Sequence, residues 1–458
     1  MTVDATQSPG AIEAVVHTSL MAPTKLERTP STVQAITIST LLFTAVPTAL
    51  FLSAIVCGYL VWLLEGKDPF LPTISNTWDT APGTYFSRWL VGAATGGLAL
   101  LQVFVFPEPA AGRGSLKQKL CLRMGLVAVL CLSVVGSVCD SPGPQCKGND
   151  YVHSFFAITW FVLYDGVMLL TSFTEGDLIL AVVATGATTL RTTYRTNLWW
   201  VACLEWANIL LVLMWSARQV AKKPLRWAFG HLGHLKNDVV WSVSSVDLLK
   251  VCGAFYLGTL LVSCGVGLWV GYLPPADRSF WFISDMWTQI PGNWLSRWAV
   301  MQGFHTGWLA HAAMLLATSS PLRRTGLVVA LVALGGLSVV GVCNESENFP
   351  LHIAGALVFF YGYDIFAVCA VVDDYLRNVE ATVFSRARTA SAIVCWACAP
   401  VHLRHFLPPA APDVLAVIEW VNALAIIAFM LLDGLAAHPT QISVGVVRVA
   451  DGLAKPLL

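Results

Sequence analysis

Arg, His and Glu side chains recur in the same order in two halves of this chain, and they are its best candidates for chemistry. The first half carries Arg88, His153, Arg195 and Glu205. The second half carries Arg297, His352, Arg404 and Glu419. Arginine matches a phosphate group with two parallel hydrogen bonds, and histidine or glutamate can move a proton. The pattern therefore predicts a site for a phosphorylated ligand in each half.

One sixteen-residue stretch occurs twice and indicates how the two halves are related. Residues 74–89 and 283–298 share the pattern I-S-[DN]-x-W-x-x-x-P-G-x-x-x-S-R-W without a gap. The offset between the copies is 209 residues, which is far longer than the period of a solenoid. The chain therefore contains a duplicated domain, and we expect the two copies to fold alike.

The composition is typical of an integral membrane protein. Hydrophobic residues make up 56% of the chain and charged residues 12%, with a mean hydropathy of +0.68. Globular proteins carry about 25% charged residues. The formal net charge of zero argues against nucleic-acid binding, which needs a clustered excess of Lys and Arg. The 12 cysteines show no zinc-type spacing, so we predict neither a metal site nor a cofactor.

Apolar runs of about twenty residues predict twelve membrane-spanning helices. Those of the first half cover about 39–64, 88–107, 120–138, 152–173, 177–190 and 198–217. Those of the second half cover about 250–273, 296–317, 325–343, 351–373, 388–403 and 414–434. The predicted fold is an all-α multi-pass membrane protein built from two tandem six-helix repeats.

Polar segments flank and separate two predicted domains, 36–219 and 249–437. Residues 1–35 are predicted to be a disordered cytosolic N-terminus, followed by an uncleaved signal anchor. Residues 220–248 are predicted to be a basic cytosolic linker, and 438–458 a cytosolic tail. Most Lys and Arg fall on one side, which predicts parallel repeats with both termini in the cytosol. The repeated stretch then forms the first outward loop of each half.

This topology brings the candidate residues of each half to the outward side of the membrane. His153 and His352 lie at the ends of the fourth spans, and Glu205 and Glu419 lie just inside the sixth. Polar residues in spans are functional candidates by default. Structural roles stay open for all of them. Arginine can snorkel to headgroups, Trp and Pro can shape an interfacial loop, and a buried glutamate can pair with arginine to fix helix packing.

Two further pairs of residues lie apart from this predicted cluster. Asp165 and Asp364 lie twelve residues beyond the histidines, about 18 Å along a helix. They are predicted to form hydrogen bonds between helices. Cys139 and Cys146 lie in or beside one outward loop, and they could form a disulfide if that side is oxidising.

The order of these motifs resembles a six-span membrane family that joins the Frag proteins, the DRAM autophagy modulators, the Sfk proteins and the N-terminal domain of Cwh-type cell-wall proteins. The first outward loop of the family has a Leu-Pro-x-(Ile/Val)-Ser motif, then a Pro, then an Arg followed by an aromatic residue. The first half matches it with Leu71-Pro72, Ile74-Ser75, Pro82 and Arg88-Trp89. The second half matches it with Ile283-Ser284, Pro291 and Arg297-Trp298. The acidic loop Glu345–His352 and the pairs Arg404-His405 and Glu419-Trp420 are also similar.

The resemblance is closest to family members that remodel lipids after GPI attachment. It implies fatty-acid remodelling of GPI anchors on the lumenal side of the Golgi or ER membrane, with membrane lipids as partners. Protein partners and an enzymatic role stay open. Other members imply a non-catalytic membrane organiser or autophagy modulator in lysosomal or plasma membranes. A transporter is a third alternative, because twelve spans in two halves is a common transporter architecture.

The second half is predicted to be the active one. It has Asp285 where the first half has Asn76, and it alone contains Gly303-Phe-His305, which resembles a Gly-x-His of the remodelling members. We predict His352, Glu419 and Asp285 as catalytic residues. The predicted headgroup-binding residues are Arg297, Arg404, His305, Arg88, His153, Arg195 and Glu205.

Overall fold

The computed structural model describes most of the chain from residue 36 to residue 448. The described ranges are 36–67, 72–79, 81–105, 116–138, 150–172, 174–193, 198–221, 225–232, 239–272, 279–288, 292–400, 412–436 and 442–448. All of them belong to one compact unit, Val33–Leu458. The predicted disordered segment 1–35 lies outside these ranges, as do Cys139, Cys146, Arg195 and Arg404.

The first half contains one short strand, β1 (Ile36–Ser39), and six long helices. These are α1 (Thr40–Leu64), α2 (Gly83–Val105), α3 (Leu116–Ser137), α4 (Asp150–Thr171), α5 (Glu175–Thr193) and α6 (Leu198–Ala221). The repeated stretch begins with a single 3-10 turn, Ser75–Trp78, and continues into α2. We call the end of the bundle where the repeated stretches lie the motif end.

The second half repeats this order. Its helices are α7 (Ser245–Trp269), the single turn α8 (Ile283–Met286), α9 (Gly292–Ala317), α10 (Pro321–Val342), α11 (Phe349–Leu376), α12 (Val383–Cys398) and α13 (Pro412–Ala436). Short polar side chains begin four of them, because each accepts a hydrogen bond from an otherwise unpaired backbone N–H of the first turn. These caps are Ser244, Ser320, Asn348 and Thr382.

Among the described helices, eight are long and apolar enough to cross a membrane: α1, α3, α4, α6, α7, α10, α11 and α13. They occupy the same four positions in each half. The second and fifth helices are more polar. They contain the repeated Ser-Arg-Trp sequences in α2 and α9, a Thr-rich end in α5, and Arg386 and Arg388 in α12. The chain is therefore a multi-pass membrane protein, while twelve spans and their orientation stay predictions.

A four-stranded antiparallel sheet joins β1, the segment between the halves and the C-terminal segment. Its other strands are β2 (Leu225–His231), β3 (Val239–Ser244) and β4 (Ile442–Arg448), and the order is β1-β2-β4-β3. The predicted all-α fold omitted this sheet. β1 and β2 alternate apolar with polar or small residues, and β3 and β4 do so except at Val239-Val240 and Val446-Val447. Each strand is short, and the sheet joins segments that are distant in sequence. The signal therefore becomes clear only when the strands are paired. We call the end that carries them the sheet end.

Each half has its own buried core, and the sheet packs on the second. Trp227 and Phe229 of β2 and Val444 and Val446 of β4 belong to the same buried cluster as Met430 of α13. Residues two apart on a strand share one face, which explains why these four side chains lie in the same buried cluster. The segments predicted as linker and tail thus cover the sheet end of the second half.

The glycine of the repeated stretch is explained by a close backbone approach. A Cβ atom on Gly83 would lie 2.6 Å from the carbonyl oxygen of Thr77, and one on Gly292 would lie 2.3 Å from that of Met286. Both distances are too short for a side chain, so the turn before α2 and α9 needs glycine. Thr77 and Met286 are themselves equivalent, which shows that both copies fold alike here.

The two halves contact each other through equivalent residues. Trp89 of α2 donates from Nε1 to Ser338 Oγ of α10 at 2.9 Å. Reciprocally, Trp298 of α9 donates from Nε1 to Ser133 Oγ of α3 at 2.8 Å. Reciprocal contacts of this kind define an isologous interface, so a pseudo-two-fold axis runs between the halves.

Along this axis α2 and α9 pack with different side chains. The first half supplies Gly92 and Gly96, a small-xxx-small pair that admits a closely packed helix. The equivalent residues of the second half are Met301 and His305. The His305 ring lies 2.3 Å from where a Cβ of Gly96 would be. Equivalent residues of α2 and α9 face each other at the axis, so two large side chains at this position would clash. Gly96 leaves the space that the His305 ring occupies.

Candidate functional site

Two equivalent arginines converge on one glutamate at the motif end of the interface. Arg88 Nη1 lies 3.0 Å from Oε1 and 2.9 Å from Oε2 of Glu347, in the loop between α10 and α11. Arg297 Nη2 donates to Oε1 of the same carboxylate at 2.5 Å. The three side chains are at most 4% exposed. We call Arg88, Arg297 and Glu347 the inter-half ion cluster.

The inter-half ion cluster holds Glu347 in its charged form. Burial raises the pKa of this carboxyl. The charges of the two arginines and the hydrogen bonds from Arg88 and from the Asn344 N–H lower the pKa by more than burial raises it, so the net shift is downward. Among the described residues, Nε and Nη1 of Arg297 have no hydrogen-bond partner. Two cations facing one carboxylate leave one excess positive charge.

The repeated Ser-Arg-Trp sequence thus has three assigned contacts in each copy. Ser87 and Ser296 donate to carbonyl oxygens of their own first helical turns. The arginines bind Glu347, and the tryptophans bind serines of the opposite half. The sequence was predicted to hold headgroup-binding arginines, and the structure places these side chains between the two halves.

In the first half a serine and a histidine are in hydrogen-bond contact. Ser75 Oγ lies 3.0 Å from Nε2 of His153, and Nδ1 of His153 lies 2.7 Å from the carbonyl oxygen of Val138. A carbonyl only accepts, so Nδ1 carries a hydrogen, and Nε2 accepts from the serine hydroxyl whenever the ring is neutral. His153 is 3% exposed.

The second half repeats the histidine contact. Nδ1 of His352 lies 2.8 Å from the carbonyl oxygen of Cys343, the residue equivalent to Val138. His352, Ser284 and Glu419 line one cavity that starts at the motif end and has about 630 Å³ of empty space, part of it open to the outside. Ser284 is the equivalent of Ser75. The repeat therefore brings Ser, His and Glu to one cavity.

The remaining walls of the cavity are mostly apolar, with Tyr256 and Thr259 of α7 as further polar residues. The apolar lining residues include Leu260 of α7, Val300 of α9, Phe359 of α11, and Ala423 and Ile427 of α13. Sites that bind small molecules combine mostly apolar walls with a few polar groups in this way. Ser284 lies in α8, and His352 and Glu419 lie near the starts of α11 and α13, so these three polar groups cluster at the motif end.

The size of equivalent side chains explains why this space exists. Leu260, Phe359 and Ala423 correspond to Phe51, Trp160 and Ile209 of the first half. Those three larger side chains are 2%, 4% and 4% exposed and belong to the first-half core. Phe51 and Trp160 stack edge to face at 6.5 Å. The smaller side chains of the second half leave space that the larger ones would fill.

A tryptophan of the repeated stretch lies in this cavity. Trp287 is 5% exposed, and its Nε1 has no hydrogen-bond partner among the described residues. In the first half Trp78 Nε1 donates to the carbonyl oxygen of Ala54 at 3.4 Å. The indole N–H of Trp287 is thus a buried donor in the cavity, whereas the indole N–H of Trp78 binds the backbone of α1.

Tryptophans after the repeated glutamates fix the loops. Trp206 Nε1 donates to the Pro72 carbonyl at 2.9 Å, and Trp420 Nε1 donates to the Trp281 carbonyl at 3.0 Å. The two acceptors are equivalent. These bonds hold the start of each repeated stretch against the sixth helix, beside Glu419 in the second half.

The other predicted site residues lie elsewhere. Asp285 accepts the Phe282 N–H at 2.9 Å and so caps α8, and it does not line the cavity. His305 lies between α2 and α9 against Gly96, with both ring nitrogens buried. Glu205 is 4% exposed near the motif end of α6. Arg195 and Arg404 lie outside the described residues, so their predicted role stays a prediction.

The buried aspartates form a separate polar layer. Thr188 donates to Asp165 at 2.6 Å, and Asn208 donates to Thr188 at 2.7 Å, linking α4, α5 and α6. Asp364 is fully buried between α11, α12 and α13. The predicted interhelical role is confirmed for Asp165. No group of three or more possible metal ligands occurs among the described residues.

Three important residues were not predicted: Glu347, Ser284 and Trp287. The serine and the tryptophan are invariant between the two copies of the stretch, which was a usable signal. Glu347 has no such signal, because it lies in an acidic loop whose contact to both arginines depends on how the halves pack.

Comparison with known proteins supports a family for the second half. Residues 248–432 match the family model of the Frag1/DRAM/Sfk1/Cwh43P N-terminal domain. No curated protein matches the chain, and no solved structure matches it. The matched range runs from α7 to α13 and includes the cavity and Glu347. Residues 248–432 therefore carry the features of the Frag1/DRAM/Sfk1/Cwh43P N-terminal domain family, and the predicted resemblance is confirmed for this half.

Proposed function

We propose that this protein takes part in the fatty-acid remodelling of GPI anchors, and that its second half holds a fatty chain of the lipid. The observation that carries the proposal is the cavity of the second half, with apolar walls and with Ser284, His352 and Glu419 at one end. An amphipathic lipid has the same division into an apolar chain and a polar end.

The energetics of chain burial assign the selectivity of the site to its polar end. Each methylene removed from water contributes about 0.8 kcal/mol. In a bilayer that gain is small, since the chain leaves hydrocarbon, so the polar end must supply the selectivity. The Ser, His and Glu side chains provide hydrogen-bond donors and acceptors at one end of the cavity.

A phosphorylated headgroup would be attracted by the charge of Arg297, although this side chain is only 2% exposed and lies outside the lining of the cavity. Its Nε and Nη1 atoms have no hydrogen-bond partner among the described residues, and the inter-half ion cluster has an excess positive charge. Guanidinium groups bind phosphate through paired N–H donors. The headgroup would then lie at the motif end, the side predicted to face the lumen of the ER or Golgi.

The choice of GPI anchors over other lipids rests on the resemblance to remodelling members of the family. The test is lipid analysis of GPI-anchored proteins from cells that lack this chain, with and without the wild-type protein. We expect anchors with unremodelled fatty acids without the protein and restoration with it. Unchanged anchors would contradict the proposal and favour the membrane-organiser alternative.

A cavity variant tests whether the second half is responsible. Ala423→Ile introduces the residue that the first half has at the same position, and it should abolish restoration. Val421→Phe adds volume to the same helix at a position that is 42% exposed and should restore normal anchors. Both variants must reach the membrane at wild-type levels. Equal restoration by both would contradict a role for the cavity.

A further inference from the structure

The tryptophan of the repeated stretch packs differently in the two halves. In the first half the Trp78 indole lies against α1, where a Cβ atom on Gly58 would be 3.0 Å from Trp78 Nε1. The equivalent of Gly58 in α7 is Gly267. A Cβ atom there would meet only Tyr272, at 3.6 Å, among the described residues. The Trp287 indole therefore does not pack on its own first helix as the Trp78 indole does.

The Trp287 indole instead lines the cavity of the second half, where its N–H is an unpaired donor. Its Nε1 is buried and has no hydrogen-bond partner among the described residues. The backbone that carries this side chain is fixed, because the Trp287 N–H donates to the Ser284 carbonyl at 3.0 Å. A buried donor without a partner costs free energy, and a ligand that supplies an acceptor recovers it. The indole N–H thus favours a ligand with an acceptor near the motif end.

The charges of the lining residues decide which acceptor fits. Glu419 is acidic, and none of the lining residues in the described part of the chain is Lys or Arg. An ionised fatty acid would bring a carboxylate beside this acidic residue with no cation to pair it, which is unfavourable in a buried site. A carbonyl group is neutral and accepts hydrogen bonds without donating any, so it matches a single indole N–H.

From this geometry we infer that Trp287 Nε1 donates to the acyl carbonyl of a bound lipid. The cavity then takes fatty chains joined through an ester or an amide, and it discriminates against ether-linked chains and free fatty acids. This inference rests on the proposed lipid binding and adds the chemical group that the site recognises. Trp287 is therefore a residue that determines specificity.

The carbonyl contact also sets how far a chain enters the cavity. The carbonyl carbon is the first carbon of an acyl chain, so the methylenes that follow it lie along the apolar walls, which include Leu260 and Phe359. An ether-linked chain has the same methylenes but no carbonyl. Its binding would leave the indole N–H unpaired, which should weaken binding about tenfold.

The test is competition for photocrosslinking of the full-length protein in detergent. The probe is a photoactivatable diacyl phosphatidylinositol, and the label is located by mass spectrometry of peptides from the second half. Three competitors share the phosphoinositol headgroup: diacyl phosphatidylinositol, its dialkyl ether analogue and inositol phosphoceramide, in which the chain is amide-linked. The fourth is oleate. We expect the acyl lipids to compete about tenfold better than the ether lipid and oleate, and the stronger of the two identifies the linkage.

Two matched variants separate recognition of the carbonyl from stability of the fold. Trp287→Phe should bring the acyl and ether lipids to within about twofold of each other without lowering the Tm, because it removes a donor that has no partner. Trp78→Phe removes the donor to the Ala54 carbonyl, so it should lower the Tm but keep the preference for acyl lipids.

The possible results distinguish failure of this inference from failure of the proposed function. Crosslinking to the second half without a preference for acyl over ether lipids would overturn the carbonyl contact and leave the lipid site intact. A preference that survives in Trp287→Phe, or that is lost in Trp78→Phe, would also overturn the assignment to Trp287. Absence of crosslinking to the second half would overturn both the carbonyl contact and the proposed lipid site.

Discussion

The two halves of this chain carry different side chains at equivalent interior positions. Phe51, Trp160 and Ile209 fill the first half, whereas Leu260, Phe359 and Ala423 line a cavity in the second. The contacts that shape the backbone are the same in both. In both halves the repeated histidine donates to the carbonyl oxygen at the end of the third helix, and the tryptophan after the repeated glutamate donates to a carbonyl oxygen in the first loop. The first half therefore has the same scaffold with only a small pocket beside Ser75 and His153, whereas the second half has the larger apolar cavity.

Charge is distributed just as unequally. Glu347, which binds both repeated arginines, belongs to the second half. Asp433 of α13 binds Arg323 at 2.6 Å and Arg388 at 2.8 Å, and the position of Asp433 is Gln219 in the first half. Buried ions need paired partners. These two carboxylates thus belong to the second half, and the first half depends on it for the partner of Arg88, although it has its own buried carboxylate in Asp177, paired with Arg218.

The largest expected effect comes from removing the carboxylate that both halves share. Glu347→Gln leaves Arg88 and Arg297 buried without a counter-charge, and breaking such a pair costs about 3–5 kcal/mol. We expect a marked fall in the apparent Tm of the protein in detergent. Glu345→Gln, two residues away, is the control and should stay within about 0.5 kcal/mol. A small effect of both would show that the halves are held by apolar packing alone.

The same carboxylate predicts a pH dependence. The pKa of Glu347 is lowered in the folded protein, mainly by the two arginines acting against burial. Its contribution to stability is therefore present above the unfolded pKa of about 4.3 and is lost as the pH falls through the lower folded pKa. The Tm difference between wild type and Glu347→Gln should be constant from neutral pH to about 5 and should shrink in stronger acid. A difference that shrinks already near neutral pH would contradict this.

Exchanging the interior residues should affect the two halves differently. Ile209→Ala opens a cavity in the filled half and should cost about 2–5 kcal/mol. Ala423→Ile adds volume where empty space exists, so it should change stability by less than about 1 kcal/mol. Thermal unfolding in detergent measures both. Equal losses would mean that the cavity of the second half is already well packed.

The packing of α2 against α9 can be tested by filling its smallest position. Gly96→Ala places a Cβ against the His305 ring and should cost about 1–3 kcal/mol. His305→Ala in the same chain should recover part of the loss, which a double-mutant cycle measures. Gly186→Ala, where no atom lies within 4 Å, should be neutral or stabilising. Additive losses would place His305 away from Gly96.

The smallest expected losses of stability come from the two tryptophans that bond across the axis, and these two losses should be equal. Trp89→Phe and Trp298→Phe each remove one hydrogen bond across the pseudo-two-fold axis and should each cost about 1 kcal/mol. Trp269→Phe, at a position 85% exposed, is the control. Clearly unequal losses for Trp89 and Trp298 would contradict reciprocal packing of the halves.

Local patterns were sufficient for much of the fold. Apolar runs gave the positions of the long helices, because each must bury its own backbone hydrogen bonds in hydrocarbon. The repeated stretch indicated the duplication, and the repeated histidine and glutamate pointed to His352 and Glu419. The strands were missed, because β2 and β4 pair across more than 200 residues and each is only seven residues long.

The sequence by itself determined a multi-pass helical membrane protein with two related halves and a polar motif end. Only the tertiary structure decided what each repeated residue does. The arginines, expected to face headgroups, meet Glu347 because the pseudo-two-fold axis brings equivalent residues of the two halves together. Ser284, His352 and Glu419 meet at a cavity because three side chains on three different helices are smaller than their counterparts. Such contacts depend on the sizes of residues that are distant in sequence, and no local pattern records them.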